Sequence, residues 1–200
     1  MSHDTAVMAG GIRFYLCGRT AYPLGPVVHK FQTAMISART KLASAIAAIS
    51  GNPVNLDARQ QLVLEYCFNP NAAQLQATYV EIRRVLSATL TGLRTADLKL
   101  HEPDPAVIPA GGAEGYVVGL GRFRGAIHTR FDLNAARTLN NVIHEATHKF
   151  ARTVDRGYLA NNIDLFLTLR QQGIPGNAPI TNANGLLNAD SYSAFTTNLT

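Results

Sequence analysis

Two histidines and a glutamate in His144-Glu145-Ala146-Thr147-His148 have the spacing at which side chains can share a zinc ion. On a helix, positions i and i+4 are neighbours with Cβ atoms about 5–6 Å apart, so both imidazoles can converge on one tetrahedral ion. Glu145 then lies beside the metal, where it can take a proton from a water whose pKa zinc lowers to about 7. The bland alternative is a helix with two solvated histidines, and the flanking residues argue against it. At about 100° per residue, Leu139, Val142, Ile143, Ala146 and Phe150 gather on one side, and Asn141, His144 and His148 gather roughly opposite. One side reads as core and the other as cleft. Asn134 or Asp132 is placed to cap the start, and Lys149 and Arg152 suit the negative end of the helix dipole.

Zinc needs a third protein ligand, and the first acidic group downstream is Asp155, in Arg152-Thr153-Val154-Asp155-Arg156-Gly157-Tyr158. Thr153 and Val154 are β-branched and weaken a helix, and Gly157 permits a tight reversal. A turn here would fold Asp155 back onto the metal.

With these residues the sequence resembles the aspzincins, the deuterolysin and peptidyl-Lys metalloendopeptidase family. Their pattern is His-Glu-x-x-His followed by Gly-Thr-x-Asp-x-x-Tyr-Gly, and Thr153, Asp155 and Tyr158 match its second part. The resemblance implies a zincin-like zinc endopeptidase with Asp155 as third ligand and the Tyr158 phenol as a donor to the oxyanion. A phenol with an unperturbed pKa near 10 is a neutral donor suited to that role. Asn188-Ala189-Asp190-Ser191-Tyr192 is similar to the family segment beside the S1′ pocket, which implies that Asp190 favours a basic residue after the scissile bond. Arg152 and Leu159 stand where the pattern has glycines, and Ser193 stands where the lysine-specific enzymes carry a second acidic group. Zinc binding is therefore better supported than lysine specificity.

The chain that must position these groups has 200 residues and 46% hydrophobic content, which fits one globular domain with a sizeable core. No segment approaches the apolar length of a membrane span, and residues 1–5 lack the basic and apolar regions of a signal peptide. The expectation is a mature fragment, or a protein exported without a classical signal, such as a bacterial effector toxin with an inhibitor or immunity protein as partner. Otherwise the chain would be cytoplasmic. The net charge of +5 is dispersed; Arg83-Arg84 and Arg122-Phe123-Arg124 are the densest clusters. Neither forms a patch for nucleic acid, so both read as solvated faces. Cys17 and Cys67 are isolated, which allows one disulfide or two buried thiols.

Periodicity places helices over 27–49, 57–67 and 72–93, so the first half reads as mostly helical. Strands are expected over 96–102, 115–120 and 126–131, with Gly119-Leu120-Gly121 as a turn. In the last strand Ile127, Thr129 and Phe131 share one side, leaving His128 exposed on the other as the only rival ligand in this region. A helix over 161–171, a long loop over 173–187 and a short helix containing Tyr192 and Phe195 complete the chain. The resulting expectation is a single-domain, mainly helical α+β metallopeptidase of zincin-like fold acting on protein or peptide. The alternative is a non-catalytic helical binding module or an inactive zincin relative.

Overall fold

Gly10 and Gly11 both have positive φ, 56° and 76°, and reverse the chain between strands β1 (Ala6–Ala9) and β2 (Ile12–Cys17). Two such residues in a two-residue loop match the right-handed twist of the flanking strands. This hairpin is absent from the helical reading of the first half. Its signal was present in Ile12, Phe14 and Leu16, which alternate with polar positions directly after the glycine pair.

The structure, a computed structural model, describes residues 6–17, 24–51, 54–101, 114–117, 126–159, 162–174 and 177–199. Three long helices follow the hairpin: α1 (Leu24–Ala48), α2 (Ala58–Phe68) and α3 (Leu75–Leu93). Strands β3 (Leu98–His101), β4 (Gly115–Val117) and β5 (Ile127–Arg130) come next, then α4 (Ala135–Ala151), α5 (Ile163–Gln171), α6 (Asn182–Gly185) and α7 (Ala189–Leu199). The fold is thus α+β and mostly helical, with one mixed sheet in the order β1-β2-β3-β5-β4. Gly119-Leu120-Gly121 lies outside the described residues. The expected loop over 173–187 contains the short α6, capped by Thr181.

Register explains how the sheet joins the core. Phe14 pairs with Leu98 and Leu98 with Ile127, so these apolar side chains share one face and pack into the cluster formed by the helices. Phe31, Met35, Leu42, Ile82, Leu86, Val142 and Ile143 are fully buried there. Helix α4 packs against α1, α3 and α7 and against β4 and β5. Burying Val142 and Ile143 contributes about 1.5–3 kcal/mol each, which sets the rotation of α4 about its own axis. The histidines are thereby turned to the opposite side.

Two local devices fix where α4 begins. Asn134 is its N-cap, accepting from the Arg137 amide at 2.9 Å, whereas Asp132 pairs with Arg130 at 2.6 Å. Lys30 of α1 donates to the carbonyls of Phe131 and Leu133, each at 2.6 Å, and ties down the turn between β5 and α4. Cys17 in β2 and Cys67 in α2 are both buried and not bonded to each other, so the disulfide alternative is not realised.

Candidate metal centre

Helix α4 ends at Ala151, and Arg152 takes a left-handed conformation (φ 61°, ψ 35°) with its amide donating to Thr147 O. That reversal lays Thr153 against the last turn. The Thr147 and Thr153 hydroxyls meet at 2.9 Å, and the Thr153 carbonyl lies 2.7 Å from His148 Nδ1. Since a carbonyl only accepts, Nδ1 carries a proton there, and the ring is held with Nε2 on its far side. His148 Nε2 lies 3.0 Å from His144 Nε2 and 3.2 Å from Asp155 Oδ1. The third side of the triangle, His144 Nε2 to Asp155 Oδ1, is 3.1 Å. These three residues form a group able to hold a metal ion.

The donor set fits zinc. Two imidazole nitrogens and a carboxylate oxygen on a tetrahedral ion, at bond lengths of about 2.0–2.2 Å, would lie about 3.3–3.5 Å apart. The observed triangle needs to open by only a few tenths of an ångström. Three acceptors this close also require positive charge among them. Without an ion a proton supplies it: burial opposes charge on His144, but the carboxylates of Asp155 and Asp190 and the field of Glu145 outweigh this and raise its pKa to about 9. Asp155 is held below the usual carboxylate range, chiefly by its bond to His144. Its side chain is 52% exposed, which leaves one side of the triangle open to solvent.

Glu145 is 5% exposed, and burial pushes its carboxyl up to about 7, with His144 opposing and Asp155 adding to the shift. It lies under the backbone of β4. A Cβ on Gly115 would fall 2.8 Å from Glu145 Cγ and 2.6 Å from Asn141 Nδ2, so this strand can approach α4 only as glycine. Asn141 secures the contact by donating to Glu114 O at 3.2 Å and Thr129 Oγ1 at 2.7 Å. The sequence places Asn141 on the cleft side of α4 with the histidines but gives no sign of its bonds to Glu114 and Thr129, nor of Gly115, because these partners are distant in the chain.

Asp190 does not line an open pocket. It is 5% exposed, its Oδ1 lies 3.6 Å from His144 Nδ1, and its Oδ2 accepts from the Leu159 amide. Ser193, the departure from the lysine-specific pattern, is buried and approaches the same carboxylate at 3.4 Å. Asp190 therefore stands behind His144, within ion-pair distance of its ring. Tyr158 shares the Asp155 loop and is 74% exposed, so its phenol points into solvent.

His128 is not brought to the triangle, and it is not exposed. Thr129 faces α4 through Asn141, so His128 points to the other side of the sheet, where it is 3% exposed. There its Nδ1 lies 2.8 Å from His101 Nε2 and its ring stacks on Tyr116. Burial, then His101, Lys99 and Lys149, lower its pKa to about 3, so it stays neutral. Strand β5 is interior among the described strands, and β4 is the edge beside the candidate site.

No family model and no curated protein matches this chain.

Proposed function

We propose that this chain is a zinc metalloendopeptidase of zincin-like fold. The observation that carries the reading is the convergence of His144, His148 and Asp155 at 3.0–3.2 Å, with Glu145 on the same helix. These three side chains would hold the ion and leave a fourth position open, as in catalytic rather than structural zinc sites. A zinc held there would supply Lewis acidity.

The chain's own residues supply the rest. Glu145, buried on α4 between the two histidines, is placed to take a proton from water and return it to the leaving amine. The Thr153 carbonyl and Asp190 hold the two imidazoles by their Nδ1 sides, which keeps both Nε2 atoms turned inward. Strand β4, the edge among the described strands and directly over Glu145, offers backbone groups to an extended peptide. Tyr158 donates to the developing oxyanion once its phenol swings in from solvent. Because Asp190 is engaged by His144 and Leu159, no basic preference is assigned to the residue after the scissile bond.

Elemental analysis with a peptide-cleavage assay tests the reading. One zinc per chain is expected, and Glu145→Gln should keep it while losing about 10²–10⁴-fold in hydrolysis. Unchanged hydrolysis by that variant would overturn the mechanism. Full zinc occupancy in a wild-type protein that cuts no peptide would instead favour a non-catalytic zinc-binding module.

A further inference from the structure

Asp155 is the least anchored of the three ligands by its own contacts, since its side chain is half exposed and its backbone belongs to no helix or strand. Its neighbours on both sides are nevertheless gripped by one segment, 187–189. Before it, the Val154 amide donates to Leu187 O at 2.8 Å and the Ala189 amide donates to Val154 O at 2.9 Å. Val154 and Asn188 thus form an isolated parallel bridge. After it, Asn188 Oδ1 accepts from the Arg156 amide at 2.8 Å, and Asn188 Nδ2 donates to Gly157 O at 3.0 Å. The same Nδ2 also donates to Ser191 Oγ at 3.1 Å, and Asn188 is fully buried.

We infer that Asn188 is the positioning residue for the third metal ligand. The inference rests on the metal-centre reading above. A side-chain amide presents one acceptor and two donors, so it can satisfy an N–H and a C=O of a neighbouring chain as a β-strand would. Here it extends the Val154 bridge past Asp155, so that the carboxylate is presented from a backbone held before and after it. Leucine at 188 has no polar atom to do this, an ionised aspartate only accepts, and serine has one hydroxyl oxygen where two separated atoms are needed. Without Asn188, Arg156 N and Gly157 O would seek water, and ordering the loop would be charged against ion binding. Outer residues that orient ligands typically matter by about 10–100-fold in metal affinity.

The test is zinc affinity of the full chain, measured by competition with a chromogenic chelator, in a double-mutant cycle. Asn188→Ala alone should weaken zinc by about 10–100-fold. In an Asp155→Ala background it should add no more than about twofold, because its effect passes through the absent carboxylate. An equal loss in both backgrounds, or no loss in the single variant, would overturn the assignment. Should Asn188→Ala fail to fold, amide hydrogen exchange on the wild type decides instead. The Val154 and Arg156 amides should already be protected in zinc-free protein, whereas protection that appears only with zinc would overturn the idea. Hydrolysis is not the readout, so a zinc-binding protein without peptidase activity would remove the peptidase reading while the affinity cycle still decides on Asn188.

Discussion

Arg152 bridges the difference between this chain and the glycine-containing family pattern. It adopts φ 61°, a region that costs an L residue with a Cβ about 1–2 kcal/mol and glycine almost nothing. The reversal from α4 to Asp155 requires that conformation whichever residue occupies the position. Arg152→Gly should therefore stabilise the protein by about 0.5–1 kcal/mol after the entropy of a freer unfolded chain is subtracted. For a chain of this size that is a rise in Tm of about 1–4 °C by calorimetry, with zinc affinity unchanged. A fall in Tm would mean that the arginine side chain contributes more than its backbone costs.

Among the elements, the contact between β4 and α4 is the one on which the proposed chemistry would depend. Gly115 lets the strand backbone rest on Asn141 and Glu145, and a methyl group there would also meet His128 O at 2.8 Å. Two of these obstacles are side chains of α4 and one is backbone, so the strand, the glutamate or both must move. A displacement of about 1 Å in a reacting group can cost about 10²-fold in rate. Gly115→Ala is expected to keep one zinc per chain but to lower kcat by about one to two orders of magnitude. Full activity with stoichiometric zinc would show that the strand shifts without carrying Glu145.

At the scale of the whole molecule, stability of the metal-free protein should fall as pH rises from about 6.5 to 9. Glu145 has a folded pKa of about 7 against an ordinary 4.5, and His144 about 9 against 6.5. Both are raised, so the folded chain binds more protons than the unfolded chain between those values. Their contribution is fully present below the unfolded pKa, then lost as pH climbs through about 7 for Glu145 and about 9 for His144. Buried His128, lowered to about 3 from 6.5, acts in the opposite sense and offsets Glu145 up to about pH 6.5. Thermal melts in excess chelator should therefore be nearly level from about pH 5 to 6.5 and decline from there to pH 9, while Glu145→Gln should turn the level part into a rise. With zinc the trend reverses, since binding displaces a proton and is favoured by higher pH. A chelated wild type and Glu145→Gln variant with parallel pH profiles would contradict the burial assigned to this carboxyl.

What the sequence determined by itself was local in range. The 3.6-residue period put Val142, Ile143 and Ala146 on the buried face of α4 and His144 and His148 on the other. Asn134 was legible as a cap, and the β-branched pair followed by Gly157 marked a turn carrying Asp155. The Gly10-Gly11 hairpin was equally legible by the same rules, and the helical reading of the first half passed over it. Tertiary structure alone decided which side chains stand behind the ligands. Asn188 and Asp190 lie more than 30 residues from the loop and ring they hold, and nothing in their own segment distinguishes a buried brace from a pocket wall. His128 makes the same point. Alternation assigned it to one face of a strand, but a period of two cannot say whether that face is covered, nor that β4 rather than β5 forms the edge. Periodicity specifies the phase of a side chain about its own element, whereas burial and orientation depend on what the rest of the chain brings against it.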